Sequence, residues 1–483
     1  MSKIPCSLGS IQTALNSGDL QLTDVVEFHI AQIKKNKHLN AFNSVYEEEA
    51  LSKAKKIQLK IQDKSAGVLA GLVIGLKDNI AFKDHPLQAS SKILNGFQSI
   101  YNATATERLI NEDAIIIGSL NCDEFAMGST NENSHFGPVL NPHDESRVPG
   151  GSSGGSAVAV AKDMCLVSLG TDTGGSVRMP AAYCGVLGLK PTYGRISRYG
   201  IIAYASSFDQ VGIFAKNTED CAKVLSVISG EDPKDATSSK QKIDSYEKHL
   251  LEDKKYSIAF LNDCIETDNL DSEIRTSFKV VERTLKNLRH QTNKVDFELI
   301  DYLVPAYYIL TTAEASSNLA RYDGIHFGHR SDEVQGVENT YIHSRSEGFG
   351  PEVKRRIILG TFVLSSGYYD AYYNKAKRVR RMIKEATEKI LDAHDFIILP
   401  CTTDTAFKIG EKIDDPVKMY LSDIYTVQAN LVGIPAISIP LFKHSNGMPF
   451  GLQIMSKRFS ENELLAFSKQ LLDKFENDSI PEL

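Results

Sequence analysis

Several features that commonly announce a function are missing from this 483-residue chain. It has seven cysteines, Cys6, Cys122, Cys165, Cys184, Cys221, Cys264 and Cys401. Their number is odd, they are scattered and no CxxC pair occurs, which argues against a disulfide framework or a zinc ligand set and predicts reduced thiols in a cytosolic protein. Long apolar runs are also missing: the longest near-apolar stretch, GVLAGLVIGL at 67–76, falls far short of the ~20 residues a bilayer requires. The start, MSKIPCSLGSIQ, lacks the apolar centre of an export signal. These absences predict no export, no membrane span and a cytoplasmic chain, or one of an organellar matrix if the source is eukaryotic. A large excess of positive charge is missing as well. A net charge of -7 and a pI near 6.0 exclude a chain-wide electrostatic footprint for nucleic acid, so any RNA contact is expected to be local or indirect. No glycine loop ends in Gly-Lys-Ser/Thr and GxGxxG does not occur, which removes two kinds of phosphate cradle.

What is present is an ordinary globular composition, 42% hydrophobic and 24% charged, enough for a large core and too apolar for disorder. The first sixty or so residues read as a helical lead-in, with Thr23 and Asp24 ahead of Val26, Ile30 and Ile33 on one face. From 67 to about 230 the texture changes to short apolar runs between glycine-rich turns: VLAGLVIGL before Lys77, AIIIG at 114–118 and MCLVSLG at 164–170. Such runs alternating with helices predict an α/β fold with a buried sheet. After the polar stretch GEDPKDATSSKQK, a C-terminal part over about 255–470 opens with a strand in YSIAFLND. A helix then places Ile274, Phe278, Val281, Leu285 and Leu288 on one buried stripe. A second helix is expected over 369–392; its basic run KAKRVRRMIK is either a solvated face or a contact for a partner or RNA. Late strands are expected in DFIILP, IPAISIP and FGLQIMS, and no internal repeat is visible.

The only low-complexity material is a pair of stretches, GGSSGGSAVAV at 150–160 and GTDTGGSVRMP at 170–180. A serine hydroxyl is a weak nucleophile; it needs a base within hydrogen-bond reach and donors aimed at the oxyanion that develops on a carbonyl. Ser176 follows an expected strand and a Gly174-Gly175 turn, whose bare N–H groups can face a pocket. Histidine offers no base, because His135 and His143 lie in polar loops and the others are scattered. Lys77 stands at the end of an apolar strand. It serves as a base only when neutral, and bringing its pKa from about 10.4 to about 7 costs roughly 4–5 kcal/mol, which burial at a strand end can supply. Its other reading is an ion pair with Asp78, and Ser152 and Ser153 read equally well as a turn or cap before a short helix.

Taken together, GLKDN around Lys77, PGGSSGGS around Ser152 and GTDTGGSVRMPAAYCGVLGLKPTYGRIS around Ser176 resemble the amidase signature family, including the intervals of 75 and 24 residues between the three. The resemblance implies a single domain over 1–483 with a large mixed central β-sheet covered by helices on both faces. It implies Ser176 as nucleophile, Lys77 as base, Ser152 as relay with a non-proline cis peptide before it, and an oxyanion hole from the backbone N–H groups of Thr173, Gly174, Gly175 and Ser176. Beyond the signature, EFAMGSTNENSHFGPVLNP, RSEGFGPEVKRRIILGTFVLSSGYYDAYY and YLSDIYTVQANLVGIPAISIP are similar to the branch of that family formed by the A subunits of glutamyl-tRNA(Gln)/aspartyl-tRNA(Asn) amidotransferases.

That branch implies hydrolysis of glutamine to glutamate without a cofactor, and delivery of ammonia to a partner. The partners implied are B and C subunits, with ATP and Mg²⁺ used at the partner and charged tRNA held mainly by the B subunit. Glutamine carries an α-carboxylate and an α-ammonium; Arg356 matches the position for the first, Asp423 the position for the second, and Tyr307 is a third contact. Taken without the resemblance, Arg356 reads as a surface charge and Asp423 as a helix cap. Two rival readings are a free-standing amidase for other small amides and a silent scaffold subunit. Met179 stands where that branch usually has glutamine, and QANLVGIPA where PANLAGLPA is more usual; Met179 alters the surface beside Ser176 without removing any of the three residues.

Overall fold

The computed structural model of the chain describes residues 4–243, 245–332, 334–412 and 416–477, so the first three residues of the start read above for export lie outside it. Helices α1 (Leu8–Ser17) and α2 (Leu22–Lys35) open the chain as expected. The lead-in is not wholly helical, however. Strand β1 (Phe42–Val45) pairs antiparallel with a later strand before α3 (Glu47–Gln62) follows. β1 is four residues long and partly exposed, too short for the period-2 pattern to stand out.

The apolar runs become β2 (Val73–Lys77), β3 (Ile115–Leu120) and β4 (Val167–Asp172), with α4 (Gly154–Ala161) entering between the last two. Then come α5 (Arg178–Cys184), β5 (Leu187–Lys190), β6 (Gln210–Ala215) and β7 (Ser257–Leu261). Helix α6 (Ser272–Asn287) buries Ile274, Phe278, Val281 and Leu285, but Leu288 falls one residue past its end and is only half-buried. β8 (Gln291–Val295), α7 (Ile300–Asn318) and α8 (Pro351–Leu364) follow. The helix expected over 369–392 is a π-turn at Asp370–Asn374 running into α9 (Lys375–Ala393). β9 (Phe396–Pro400), α10 (Val427–Val432), β10 (Ala436–Lys443), β11 (Pro449–Ser456) and α11 (Glu461–Asn477) complete the set used below.

Among the described residues the strands form one eleven-stranded sheet in the order β1-β3-β2-β4-β6-β5-β10-β11-β9-β7-β8. It is mixed: β2 runs parallel to β3 and β4, and β7 parallel to β8 and β9, while the other neighbours are antiparallel. β2, β3, β4, β6, β9 and β11 are buried at every position, so both faces of the sheet are covered, which is why these strands read as unbroken apolar runs and not as alternation. In the basic run of α9, Lys377, Arg378 and Arg381 are exposed. Arg380 turns inward instead, with Nε donating to Leu431 O at 2.9 Å and its guanidinium 4.0 Å from the centre of the Phe208 ring. Among the described residues no helix is long and apolar enough to cross a membrane.

Candidate active site

Three adjacent parallel strands, β3, β2 and β4, end on the same edge of the sheet, where open α/β sheets place their ligands. β2 ends in Lys77, β4 in Asp172, and the chain after β3 continues as Asn121-Cys122-Asp123-Glu124. Lys77 is 0% exposed. Its Nζ donates to Ser152 Oγ at 2.7 Å, Ser153 Oγ at 2.9 Å and Thr171 Oγ1 at 2.9 Å. Burial lowers its pKa to about 8, against the opposing pull of Asp123, Asp209 and Asp172. An ion pair with Asp78 does not form among the described residues. The Asp78 carboxylate is taken up instead by the Ser90 N–H (2.8 Å), Ser119 Oγ (3.0 Å) and Asn43 Nδ2 (2.9 Å).

The first glycine-serine stretch places Ser152 after a cis Gly151–Ser152 peptide and then enters α4. The second turns sharply after β4. The Asp172 carboxylate accepts from the N–H groups of Gly175 (2.9 Å) and Val177 (3.1 Å), from Arg178 Nη2 (2.9 Å) and from Asn430 Nδ2 (2.9 Å). Burial alone would raise this acid; the Arg178 guanidinium overrides it and holds the pKa at about 2. Arg178 also donates to Thr426 O (2.8 Å), Asn430 Oδ1 (2.6 Å) and Gln453 Oε1, so the turn is fastened to α10 and β11. Ser176 O accepts from the Ser153 N–H at 3.2 Å, joining the two loops. Its Oγ keeps a little exposure, 8% for the residue, and has no hydrogen-bond partner among the described residues. Of the four expected oxyanion donors, Gly175 is already engaged by Asp172; the N–H groups of Thr173, Gly174 and Ser176 have no backbone partner among the described residues.

Arg356, Asp423 and Tyr307 are all buried. Arg356 lies on α8 with Nε on Glu352 Oε1 (2.8 Å) and Nη1 on the Tyr204 hydroxyl (2.9 Å), its guanidinium ringed by Tyr204, Tyr308 and Tyr420 at 5.3, 5.3 and 5.5 Å. It is therefore not a surface charge. Asp423 accepts from the Tyr308 hydroxyl (2.7 Å) and Ser129 Oγ (2.9 Å), and burial raises it to about 6. Tyr307 packs over the nucleophile turn so closely that a Cβ at Gly174 would overlap its hydroxyl. Tyr308 joins the two ends of the cluster, because its ring faces Arg356 while its hydroxyl holds Asp423. Reading the sequence missed Tyr308, Ser129, Thr426 and the Asp172–Arg178 pair. For the pair a signal was available: two opposite charges six residues apart in a stretch otherwise made of small residues.

This assembly of a buried lysine, two serine loops and a glycine turn at a sheet edge defines a class. The family model described as Amidase matches residues 24–465, and the chain belongs to that family. Within it, the chain is 47% identical over 468 residues to the A subunit of the glutamyl-tRNA(Gln) amidotransferase of Chlorobaculum parvum, covering 95% of this chain and 96% of that one. To the corresponding A subunit of Clostridium botulinum (strain Okra / Type B1) it is 51% identical over 433 residues, 89% of each. The crystal structure of the A subunit of the glutamyl-tRNA(Gln) amidotransferase of Thermotoga maritima superposes with a TM-score of 0.78 at 37% identity, covering 95% of this chain and 93% of that one.

Proposed function

We propose that this chain is the glutamine-hydrolysing component of a tRNA-dependent amidotransferase, releasing ammonia for a partner that converts glutamyl-tRNA(Gln), aspartyl-tRNA(Asn) or both. The observation that carries this reading is the buried Arg356–Tyr308–Asp423 cluster, tied to the Ser176 turn by Thr426, whose Oγ1 donates to Gly174 O (2.6 Å) and whose N–H donates to Asp423 O (3.0 Å): one cation and one anion, spaced by an aromatic ring, meet the carboxylate and ammonium of an amino acid. A free-standing amidase for simple amides has no use for that pair.

The chemistry follows from the hydrogen bonds around Lys77. Ser153 donates its own hydrogen to Thr171 O at 3.1 Å, and Thr171 Oγ1 already accepts from both Lys77 and Asn79 Nδ2 (3.1 Å). That leaves Ser152 as the serine whose hydrogen is free to face the lone pair of neutral Lys77. Lys77 takes the Ser152 proton as Ser152 takes that of Ser176, and Ser176 Oγ bonds to the side-chain carbonyl carbon of glutamine. The oxyanion is met by the N–H groups of Thr173, Gly174 and Ser176. The proton returns through Ser152 to the amide nitrogen, the C–N bond breaks and ammonia leaves. Water then attacks the γ-glutamyl ester, with the same lysine as base, and frees glutamate. Tyr307 closes one wall of this space. The step needs no metal or organic cofactor; ATP and Mg²⁺ act at the partner, where the acceptor carboxylate is activated and the charged tRNA is held, in an assembly of A, B and C subunits working in the cytoplasm.

The test is to purify the tagged full chain from its own cells, identify what accompanies it in stoichiometric amount, and assay that assembly for glutamate release. Two further subunits and glutamine hydrolysis are expected. A chain that purifies alone and hydrolyses other amides but not glutamine overturns the reading.

A further inference from the structure

The segment that follows β3 lies between the two halves of the site, and two neighbouring acids in it reach opposite ways. The Asp123 N–H donates to Ser152 O at 3.0 Å. Its carboxylate, gripped by the N–H groups of Asn131 (2.8 Å) and Asn133 (3.1 Å), sits so close to Gly151 that a Cβ there would overlap it. Glu124, also buried, faces α8. Glu124 Oε2 accepts from the Gly350 N–H at 2.8 Å, at the residue that caps this helix, and Oε1 accepts from Ser91 Oγ. A Cβ on Gly350 would overlap Glu124 Oε2, so a larger residue there would push this carboxylate aside. Arg356 stands less than two turns further along the same helix. Left-handed backbone at Phe125 (φ 51°) and Ala126 (φ 58°) folds the segment back over itself, and the Ala126 N–H returns to Asp123 O at 2.9 Å. Neither acid touches Lys77, Ser176 or Arg356 through a hydrogen bond among the described residues.

We infer that Asp123 and Glu124 form a two-way brace, Asp123 setting the loop that carries Ser152 and Glu124 setting the start of α8, so that the relay and the Arg356 guanidinium are held in one register. Both are positioning residues, and the inference rests on the roles proposed above for Ser152 and Arg356. The brace spans two elements that nothing else in the sequence order keeps together: residues 151–152 follow β3 by some thirty positions and precede α8 by some two hundred. A carboxylate suits the task because its two oxygens can take a donor from each side at once, as Glu124 does with Ser91 and Gly350.

The experiment compares the full chain, in the assembly in which it is purified, with Glu124→Ala, Glu124→Gln, Asp123→Ala and Arg356→Ala. Two readouts are taken: glutamine kinetics, and the rate at which phenylmethanesulfonyl fluoride labels Ser176, a reaction that uses no α-carboxylate. Glu124→Ala is expected to raise KM about tenfold, with kcat and the labelling rate within about threefold, the pattern of lost ground-state binding. Glu124→Gln should restore KM, since its amide oxygen accepts from Gly350 and its nitrogen donates to Ser91. Asp123→Ala should do the opposite, slowing kcat and labelling together at nearly constant KM. If Glu124→Ala does not fold, Glu124→Asp, one methylene too short to span both donors, should show the same rise in KM at smaller size. An unchanged KM in the folded Glu124 variants beside a raised KM in Arg356→Ala overturns the brace. So does a fall in labelling that matches the rise in KM, which would mark a merely structural residue. An unchanged KM in Arg356→Ala defeats the role of Arg356 itself, and the brace with it.

Discussion

The two sides of the candidate site are built from different materials. Around Ser152 and Ser176 the walls are backbone, glycine and small hydroxyls at strand ends, with charge balanced inside one turn by Asp172 and Arg178. Around Arg356 they are large rings, Tyr204, Tyr308 and Tyr420, brought in from separate parts of the chain. The roles proposed for the two sides account for the difference. Attack on a carbonyl needs donors and a nucleophile fixed to within fractions of an ångström, which rigid strand ends and tight turns provide. Recognition of a charged amino acid needs buried ions of both signs, and each must be desolvated among groups that satisfy it when the ligand is away. Arg356 accordingly rests on Glu352 and three rings, and Asp423 on Tyr308 and Ser129.

If the division is real, substitutions on the two sides should fail in different ways. Ser176→Ala should produce the largest effect, lowering kcat for glutamine hydrolysis by roughly 10⁴–10⁶ with the fold intact, as removal of a covalent nucleophile does. Retention of most activity would remove Ser176 from the mechanism. Arg178→Ala should register first in stability. It leaves Asp172 buried and unpaired, a loss of about 3–5 kcal/mol in denaturant unfolding, where Arg356→Ala, with Glu352 also bonded to Tyr420, should cost less. Equal losses would mean that the nucleophile turn is no more strictly charge-balanced than the recognition side. Arg356→Ala should instead raise KM for glutamine about 10–100-fold, the worth of a charge-assisted hydrogen bond, while kcat changes little.

The smallest expected effects come from pH, and they separate the two sides without mutation. The proposed mechanism calls for neutral Lys77, whose pKa burial lowers to about 8, so kcat should rise with pH up to about 8 and level off above it. Asp423 must be ionised to hold an ammonium, and burial raises its pKa to about 6. As pH falls through about 6 it takes up a proton, and KM for glutamine should rise. A kcat profile flat from pH 6 to pH 9 would remove Lys77 as the base.

Much of the catalytic side was legible because its residues sit in two short, compositionally odd stretches and at the end of an apolar run. The α/β fold with its mixed sheet is as expected; Lys77 meets Ser152 directly, and Ser176 is tied to the same loop through the Ser153 N–H on its carbonyl. The misses have physical causes. Strand β1 hid in the lead-in because four half-exposed residues carry no period. That the carboxylate three residues before Gly175 takes its N–H is a matter of local geometry that composition does not reveal. Tyr308 was passed over for Tyr307, although the adjacent ring is the one that links Arg356 to Asp423; adjacent helix positions point about 100° apart, and nothing in PAYY says which faces the charges.

The sequence by itself determined the chemistry that lies within a few residues: a strand end that desolvates a lysine, a glycine turn that frees backbone donors, small residues that let two loops approach. These depend on backbone preferences and short-range sterics, which neighbours along the chain control. Only the tertiary structure decided the rest. The sheet order brings the ends of β3, β2 and β4 to one edge, α8 and α10 close over them, and Asp123 and Glu124 reach from one strand end to a loop and a helix far away in sequence. Those pairings arise from burying both faces of a long sheet at once, a condition on the whole chain that no single stretch of it contains.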